Sequence, residues 1–202
     1  MLQAAREHNI EKVIYSTTSA VYGIKNTPPL KEDMPTNCLN PYSVTKHSGE
    51  ELCRIYYELY GLKTLSLRYF NVYGERQPTK GLYAPVVGLL ARQKLVGDAM
   101  TIVGDGLQRR DFIHVSDVVE ANLCAARCER SEAFGASYNV GTGKNYDILD
   151  LVGMIGGRYV HIDSRPGEAR ETLASISKIN KVLEWFPKVD FEDWIKKTGG
   201  VG

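Results

Sequence analysis

The chain has 202 residues, a formal net charge of +1 and 43% hydrophobic residues, enough to bury one core or two small ones that share it. A charge so near zero argues against a nucleic-acid or membrane partner. No stretch approaches the apolar length of a membrane span, and Met1 to Ser16 lacks the apolar run of a signal peptide, so a cytoplasmic protein is the expectation. Cys38, Cys53, Cys124 and Cys128 include none of the Cys-x-x-Cys pairs or Cys/His clusters of a structural zinc site, and no metal is expected. Cys124 and Cys128, one helical turn apart, read as small hydrophobes on a packed helix face.

Leu2 to Arg6 has helical character, with an exit at His8 and Asn9. Lys12 to Ser16 is a short apolar strand that runs into the hydroxyls of Ser16-Thr17-Thr18-Ser19. Pro28 to Pro41 is a polar, proline-bearing loop. A long helix then opens at Pro41, where the missing N–H would be unpaired anyway, and stops at Gly61. Tyr42 and Lys46 stand four apart on one face of it. That spacing matters chemically: a tyrosine acts as a base near neutral pH only if its pKa falls from ~10 to about 7, a cost of roughly 4 kcal/mol. An ammonium about 5 Å away supplies roughly 3 kcal/mol at an effective dielectric of about 20. In a chain with twelve tyrosines, the plainer reading of the pair alone is a solvated helix face.

Lys63 to Tyr69 reads as a strand ending in Arg68-Tyr69-Phe70-Asn71-Val72-Tyr73-Gly74. Because ligands gather at the carboxyl ends of strands in an open α/β sheet, residues 69 to 74 should line a site. Val86 to Val96 is a helix, Thr101 to Val103 a strand, and Gly104-Asp105-Gly106 a turn needing positive φ, with Arg109 to Val115 as the return strand. Arg109 and Arg110, adjacent in a nearly neutral chain, suggest an anion site, since guanidinium forks match phosphate oxygens. His114 reads as a packed strand residue. Asp117 should cap a helix through Arg127, Ser137 to Val140 is a strand, and Asp147 should cap a helix carrying Leu149, Leu151, Val152 and Ile155. Gly141-Thr142-Gly143-Lys144 and Gly153 to Gly157 read as a strand-to-helix turn and a helix exit. Ser177 to Thr198 forms two short amphipathic helices broken at Pro187, with Trp185 and Trp194 as packing anchors.

The hydroxyl-bearing strand end and the Tyr-x-x-x-Lys helix, at this spacing and in this order, resemble the extended short-chain dehydrogenases, the NAD-dependent epimerase/dehydratase family. Within it the chain looks most like the UDP-glucose/UDP-N-acetylglucosamine 4-epimerases. The resemblance implies an α/β fold: the later part of a doubly wound NAD(P)-binding Rossmann fold over residues 1–80, carrying the catalytic Tyr/Lys. A smaller nucleotide-sugar-binding part follows over residues 81–202, of which about 110–130 packs back on the Rossmann sheet. It also implies Thr18, Tyr42 and Lys46 as catalytic residues. Ser16, Thr17, Tyr42, Lys46, Tyr69 and Phe70 would meet the NAD cofactor. Thr18, Asn71, Arg110, Arg165, Glu168 and Thr172 would meet the UDP-sugar. The plainer roles are turn capping for Ser16, Thr17 and Ser19, core packing for Tyr69 and Phe70, solvation for Arg109, and a solvated turn for Arg165-Pro166-Gly167-Glu168.

The activity so implied is 4-epimerisation of a UDP-sugar through a 4-keto intermediate, by a homodimer when full length. Thr172, smaller than the tyrosine that other such enzymes place beside C2, implies room for an N-acetyl group. A 4,6-dehydratase or decarboxylase is the alternative within the family, but Ser19 and Ala20 stand where dehydratases carry an acidic pair. No Gly-x-x-Gly-x-x-Gly or Gly-x-Gly-x-x-Gly follows an early strand. The expectation is therefore a chain lacking about the first third of the family pattern, a fragment or one with an internal start, binding NAD poorly alone. A non-catalytic nucleotide-sugar-binding remnant is the rival from another class.

Overall fold

The computed structural model describes residues 1–81, 84–164 and 169–201. Helix α1 (Leu2–Glu7) leads into strand β1 (Lys12–Thr18), and helix α2 (Pro41–Tyr60) into β2 (Lys63–Tyr69) and β3 (Asn71–Tyr73). Then follow α3 (Val86–Leu95), β4 (Met100–Val103), β5 (Arg109–Arg110), β6 (Phe112–His114) and α4 (Val115–Arg127). The chain continues through β7 (Ala136–Val140), β8 (Tyr146–Asp147), α5 (Ile148–Ile155), β9 (Tyr159–Ile162), α6 (Ser177–Leu183) and α7 (Phe191–Thr198). The fold is α/β with parallel strand pairs, in keeping with the expected class.

The sheet that positions the site is parallel, in the order β1-β2-β7. Its register sets Ser16 beside Leu67, Thr17 beside Arg68 and Thr18 beside Tyr69. Side chains alternate across a strand, so Ser16, Thr18 and Tyr69 share one face while Thr17 and Arg68 share the other. The first face meets α4 and α6, where Leu65, Leu67, Ile113, Val118, Ala121, Tyr138, Val140, Ile179 and Trp185 form one core. Each large aliphatic side chain buried there contributes roughly 1.5–3 kcal/mol. The opposite face meets α2. Gly49 makes this approach possible, because a Cβ there would lie 2.3 Å from the Tyr15 hydroxyl.

A second core joins Tyr73, Leu90, Met100, Ile102, Phe112, Leu151, Phe191 and Trp194, drawn from β3, α3, β4, β6, α5 and α7. Here the sequence reading needs three corrections. Arg109 to Val115 does not return along β4. Asp105 takes the Leu107 N–H in its own turn and the Gly106 carbonyl accepts from Ile148 and Leu149, which pins the turn to the start of α5. Strand β4 pairs in parallel with β9, which the sequence did not reveal, β5 pairs with β8, and β6 with β3. Asp117 does not cap α4 either. His114 does so through its ring nitrogen, while the buried Asp117 carboxylate accepts from Lys188 N and Val189 N, both at 3.0 Å. Finally, β1 extends two residues past Ser16.

Other expected ends hold. Helix α2 carries an Asn40/Ser43 capping box and stops at Gly61 in the left-handed conformation. Asp147 caps α5, and Trp185 and Trp194 are buried. Cys53 is buried, Cys124 and Cys128 pack against the first core, and among the described residues there is no cluster of three or more His, Cys, Asp or Glu side chains placed to hold a metal ion. No helix among them is long and apolar enough to cross a membrane.

Candidate active site

A cavity of about 480 Å³ opens at the carboxyl ends of β1 and β2 and is closed on its far side by β4 and the segment after residue 168. Thr18, Tyr69, Phe70, Asn71, Arg110 and Thr172 all line it, so six of the sequence-selected residues meet in one place. Leu89, Val103, Ile148 and Ile162 supply apolar lining. Arg165 and Glu168 lie outside the described residues.

Thr18 owes its placement to the end of β1. Its backbone is extended, and its Oγ1 accepts the Ala20 N–H at 3.1 Å, capping the short helical turn Ser19–Tyr22. The hydroxyl hydrogen remains available for the cavity. Tyr42 stands on the first turn of α2, two residues past the cavity-lining Asn40. It is 55% exposed, and its phenol makes no hydrogen bond to the described residues. One turn on, the Lys46 ammonium donates to the Ser16 carbonyl at 2.8 Å and lies 5.3 Å from the Tyr15 ring centroid. Ser16 is exposed, and its Oγ lies 3.0 Å from the Tyr69 hydroxyl.

Thr17 is set apart from this group. It is buried on the α2 face and donates to Glu50 Oε1 at 2.7 Å, which leaves its hydroxyl on the opposite side of the strand from those of Ser16 and Thr18. Glu50 also meets the Arg68 guanidinium at 2.7 Å, both groups buried. Arg68 in turn donates to the Tyr22 hydroxyl, which donates to Asn139. Burial pushes the Tyr22 phenol up to about 12. This connected polar layer clamps α2, and with it Tyr42 and Lys46, to the sheet.

Asp111 is a second organiser that sequence reasoning missed. Its buried carboxylate accepts from Thr142 N, Thr142 Oγ1, Gly143 N and Ala174 N, at 2.8 to 3.0 Å. Burial pushes the carboxyl up, and these donors pull against it. Because Thr142 and Gly143 give their N–H groups to Asp111, the Gly141-Thr142-Gly143-Lys144 loop is a structural turn and not a phosphate cradle. The Asp111 N–H also lies 3.4 Å from Thr172 Oγ1, and Thr172 N donates to Arg109 O, which fixes the cavity wall. Arg109 itself is exposed and held by Asn145. His114 is buried, with Nδ1 on Ser116 and Nε2 3.3 Å from Glu75, as a packed residue should be.

Comparison with known proteins agrees with this architecture. The chain is 36% identical to the UDP-N-acetylglucosamine 4-epimerase of Methanobrevibacter ruminantium, solved with UDP-N-acetylmuramic acid. The match covers 98% of this chain and 64% of that one, at a TM-score of 0.90. It is 32% identical to the UDP-glucose 4-epimerase of Thermotoga maritima, solved with UDP-glucose, covering 98% and 65% at a TM-score of 0.91. It is 34% identical to the UDP-glucuronic acid 4-epimerase of Bacillus cereus, solved with UDP-glucuronic acid and NAD, covering 95% and 61% at a TM-score of 0.86. The chain thus spans 61 to 65% of the length of these proteins. Residues 1–141 match the model of the NAD dependent epimerase/dehydratase family, and the chain belongs to that family.

Proposed function

We propose that this chain carries the acid/base and sugar-nucleotide-binding parts of an NAD-dependent UDP-sugar 4-epimerase. The observation that carries the reading is the convergence of Thr18, Tyr69, Phe70, Asn71, Arg110 and Thr172 on one cavity, with Tyr42 and Lys46 on the helix that opens beside it. The exposed Ser16 hydroxyl and the Lys46 ammonium suit the acceptor oxygens of a nicotinamide nucleotide. When bound, the cofactor supplies a hydride acceptor for C4 and gives the hydride back. Tyr42 takes the proton of the C4 hydroxyl, Thr18 orients that hydroxyl, and Lys46 brings the positive charge that an ionised phenol needs. The sugar passes through a 4-keto form and turns before reduction. Arg110 and Asn71 hold the diphosphate.

The chain divides near Gly81 into a cofactor-side part and a sugar-nucleotide part, with residues 110–130 packing back through α4. An exposed apolar stripe along one side of α2, made of Val44, Leu52, Ile55 and Leu59, supports a homodimer. Light scattering that gives only the monomer mass at micromolar concentration would remove the dimer.

For activity, the chain should be joined to the glycine-rich cofactor-binding segment of a relative and assayed on UDP-glucose and UDP-N-acetylglucosamine. Tyr42→Phe should lower turnover by about a hundredfold or more on both. Thr172→Tyr should spare UDP-glucose and exclude the N-acetylated sugar, because overfilling a close-packed wall costs about 1–3 kcal/mol. Full activity in Tyr42→Phe refutes the mechanism. An unchanged sugar preference takes Thr172 out of the wall.

A further inference from the structure

Asn122, on the face of α4 that covers the end of the sheet, has no part in the reading above, yet its amide reaches the site. Its Nδ2 donates to the Val118 carbonyl one turn back at 2.8 Å. A carbonyl only accepts, so this contact fixes which end of the amide is nitrogen. The same nitrogen lies 2.9 Å from the Tyr69 hydroxyl, with Oδ1 at 3.1 Å. One amide hydrogen serves Val118 and the other serves the phenol oxygen. A phenol oxygen that accepts on this side has its own hydrogen best placed on the other, toward Ser16 Oγ at 3.0 Å. Donation to Oδ1 instead would crowd both hydrogens between the same two groups. Ser16 Oγ, having accepted from Tyr69, turns its remaining hydrogen outward. The Lys46 ammonium sits on the main-chain oxygen of that same Ser16, at 2.8 Å.

We propose that Asn122, Tyr69 and Ser16 form a one-way hydrogen-bond chain, with Asn122 as a positioning residue that makes the exposed Ser16 hydroxyl a donor beside Lys46. Two neighbouring donors, the Ser16 hydroxyl and the Lys46 ammonium, select an acceptor-rich group, the carboxamide or ribose oxygens of a nicotinamide nucleotide. The inference rests on the cofactor reading above and adds the direction of the hydrogen bonds and the residue that sets it. Tyr69 then acts through its hydroxyl, in addition to lining the cavity.

The test uses the 202-residue chain and reduced nicotinamide mononucleotide, which lacks the adenylate half, titrated by its own fluorescence. Thermal melting run in parallel confirms that each variant is folded. The wild type should bind saturably. Asn122→Asp, of the same shape but with only acceptors when ionised, should reverse the chain and weaken binding about tenfold, as the loss of one hydrogen bond implies. In a Tyr69→Phe background the same change should have no further effect, because among the described residues the phenol links Asn122 to Ser16. Ser16→Ala, at an exposed position that folding does not depend on, should lose a similar amount and should also be insensitive to Tyr69→Phe. If Asn122→Asp binds like the wild type, or weakens binding equally in the Tyr69→Phe background, the relay is wrong while the cofactor site stands. If the wild-type chain joined to a relative's glycine-rich segment also binds no reduced nicotinamide nucleotide, the cofactor reading itself is overturned, and the relay with it.

Discussion

The two faces at the ends of β1 and β2 carry the same kinds of side chain and put them to opposite uses. On the α2 face, Thr17 and Arg68 are buried on Glu50, and both give their side-chain donors to protein partners. On the other face, one residue away in either direction, Ser16 and Thr18 keep a hydroxyl hydrogen for something outside the chain, and Tyr69 supports one of them. What separates structure from chemistry here is the alternation of a pleated strand, since neighbouring threonines point into different worlds. The buried face also serves the open one, because Glu50 lies one helical turn after Lys46 and holds α2 in place.

The largest test of this contrast breaks the buried side. Glu50→Gln keeps the shape but leaves the Arg68 guanidinium buried without its carboxylate, which costs about 3–5 kcal/mol. For a chain of this size that corresponds to a fall in Tm on the order of 10 °C. The double variant Glu50→Leu with Arg68→Met should recover a good part of the loss, because no lone charge remains. A loss below about 1 kcal/mol for Glu50→Gln by urea unfolding would show that the layer is not the clamp described here.

The next test sets the two threonines against each other. Thr17→Val removes a buried donor and should cost about 1–2 kcal/mol of stability, with turnover in the fusion to a relative's glycine-rich segment changed by less than about threefold. Thr18→Val should do the reverse. It should lower Tm by only a few degrees, through the lost cap on the Ala20 N–H, and lower turnover by about tenfold or more, while Thr18→Ser, which keeps the hydroxyl, should be mild in both. Melting curves and turnover measured on all three variants decide the matter, and equal losses at both positions would erase the distinction between the faces.

How far the sequence revealed this depends on the reach of each signal. Helix α2 was legible from Pro41 to Gly61 because its capping and stop signals are local, and β2 ran from Lys63 to Tyr69 as its apolar positions indicated. The gathering of Thr18, Asn71, Arg110 and Thr172 came from the family resemblance, since residues so far apart carry no mutual pattern. The separation of Thr17 from Ser16 and Thr18 was there to be read in the strand period. Nothing local marks Asp111 out beside its two arginines. It is buried because donors from Thr142, Gly143 and Ala174, 31 to 63 positions away, converge on it. Strand β9 is four exposed residues long, and only its long-range partner β4 makes it a strand.

The smallest expected effect comes from the exposed counterpart of the buried pair. Arg170 meets Asp105 at 2.7 Å, the same distance as Arg68 and Glu50, but both of its side chains are more than half open to water. The hydrogen bond and charge of Arg170 pull the Asp105 carboxyl down to about 2 from 3.8. The sign follows from that direction: the folded chain favours the ionised carboxylate, so its contribution is complete above about pH 4 and disappears as the pH falls toward 2. Water and salt screen most of the attraction. Asp105→Asn should therefore lower Tm at pH 7 by no more than about 3 °C, and the difference should close at pH 2 and in 1 M salt. Glu50→Gln should keep its full effect in the same salt, because that pair is shielded from ions. A salt-insensitive loss of many degrees for Asp105→Asn would mean that distance, and not burial, sets the worth of these two pairs.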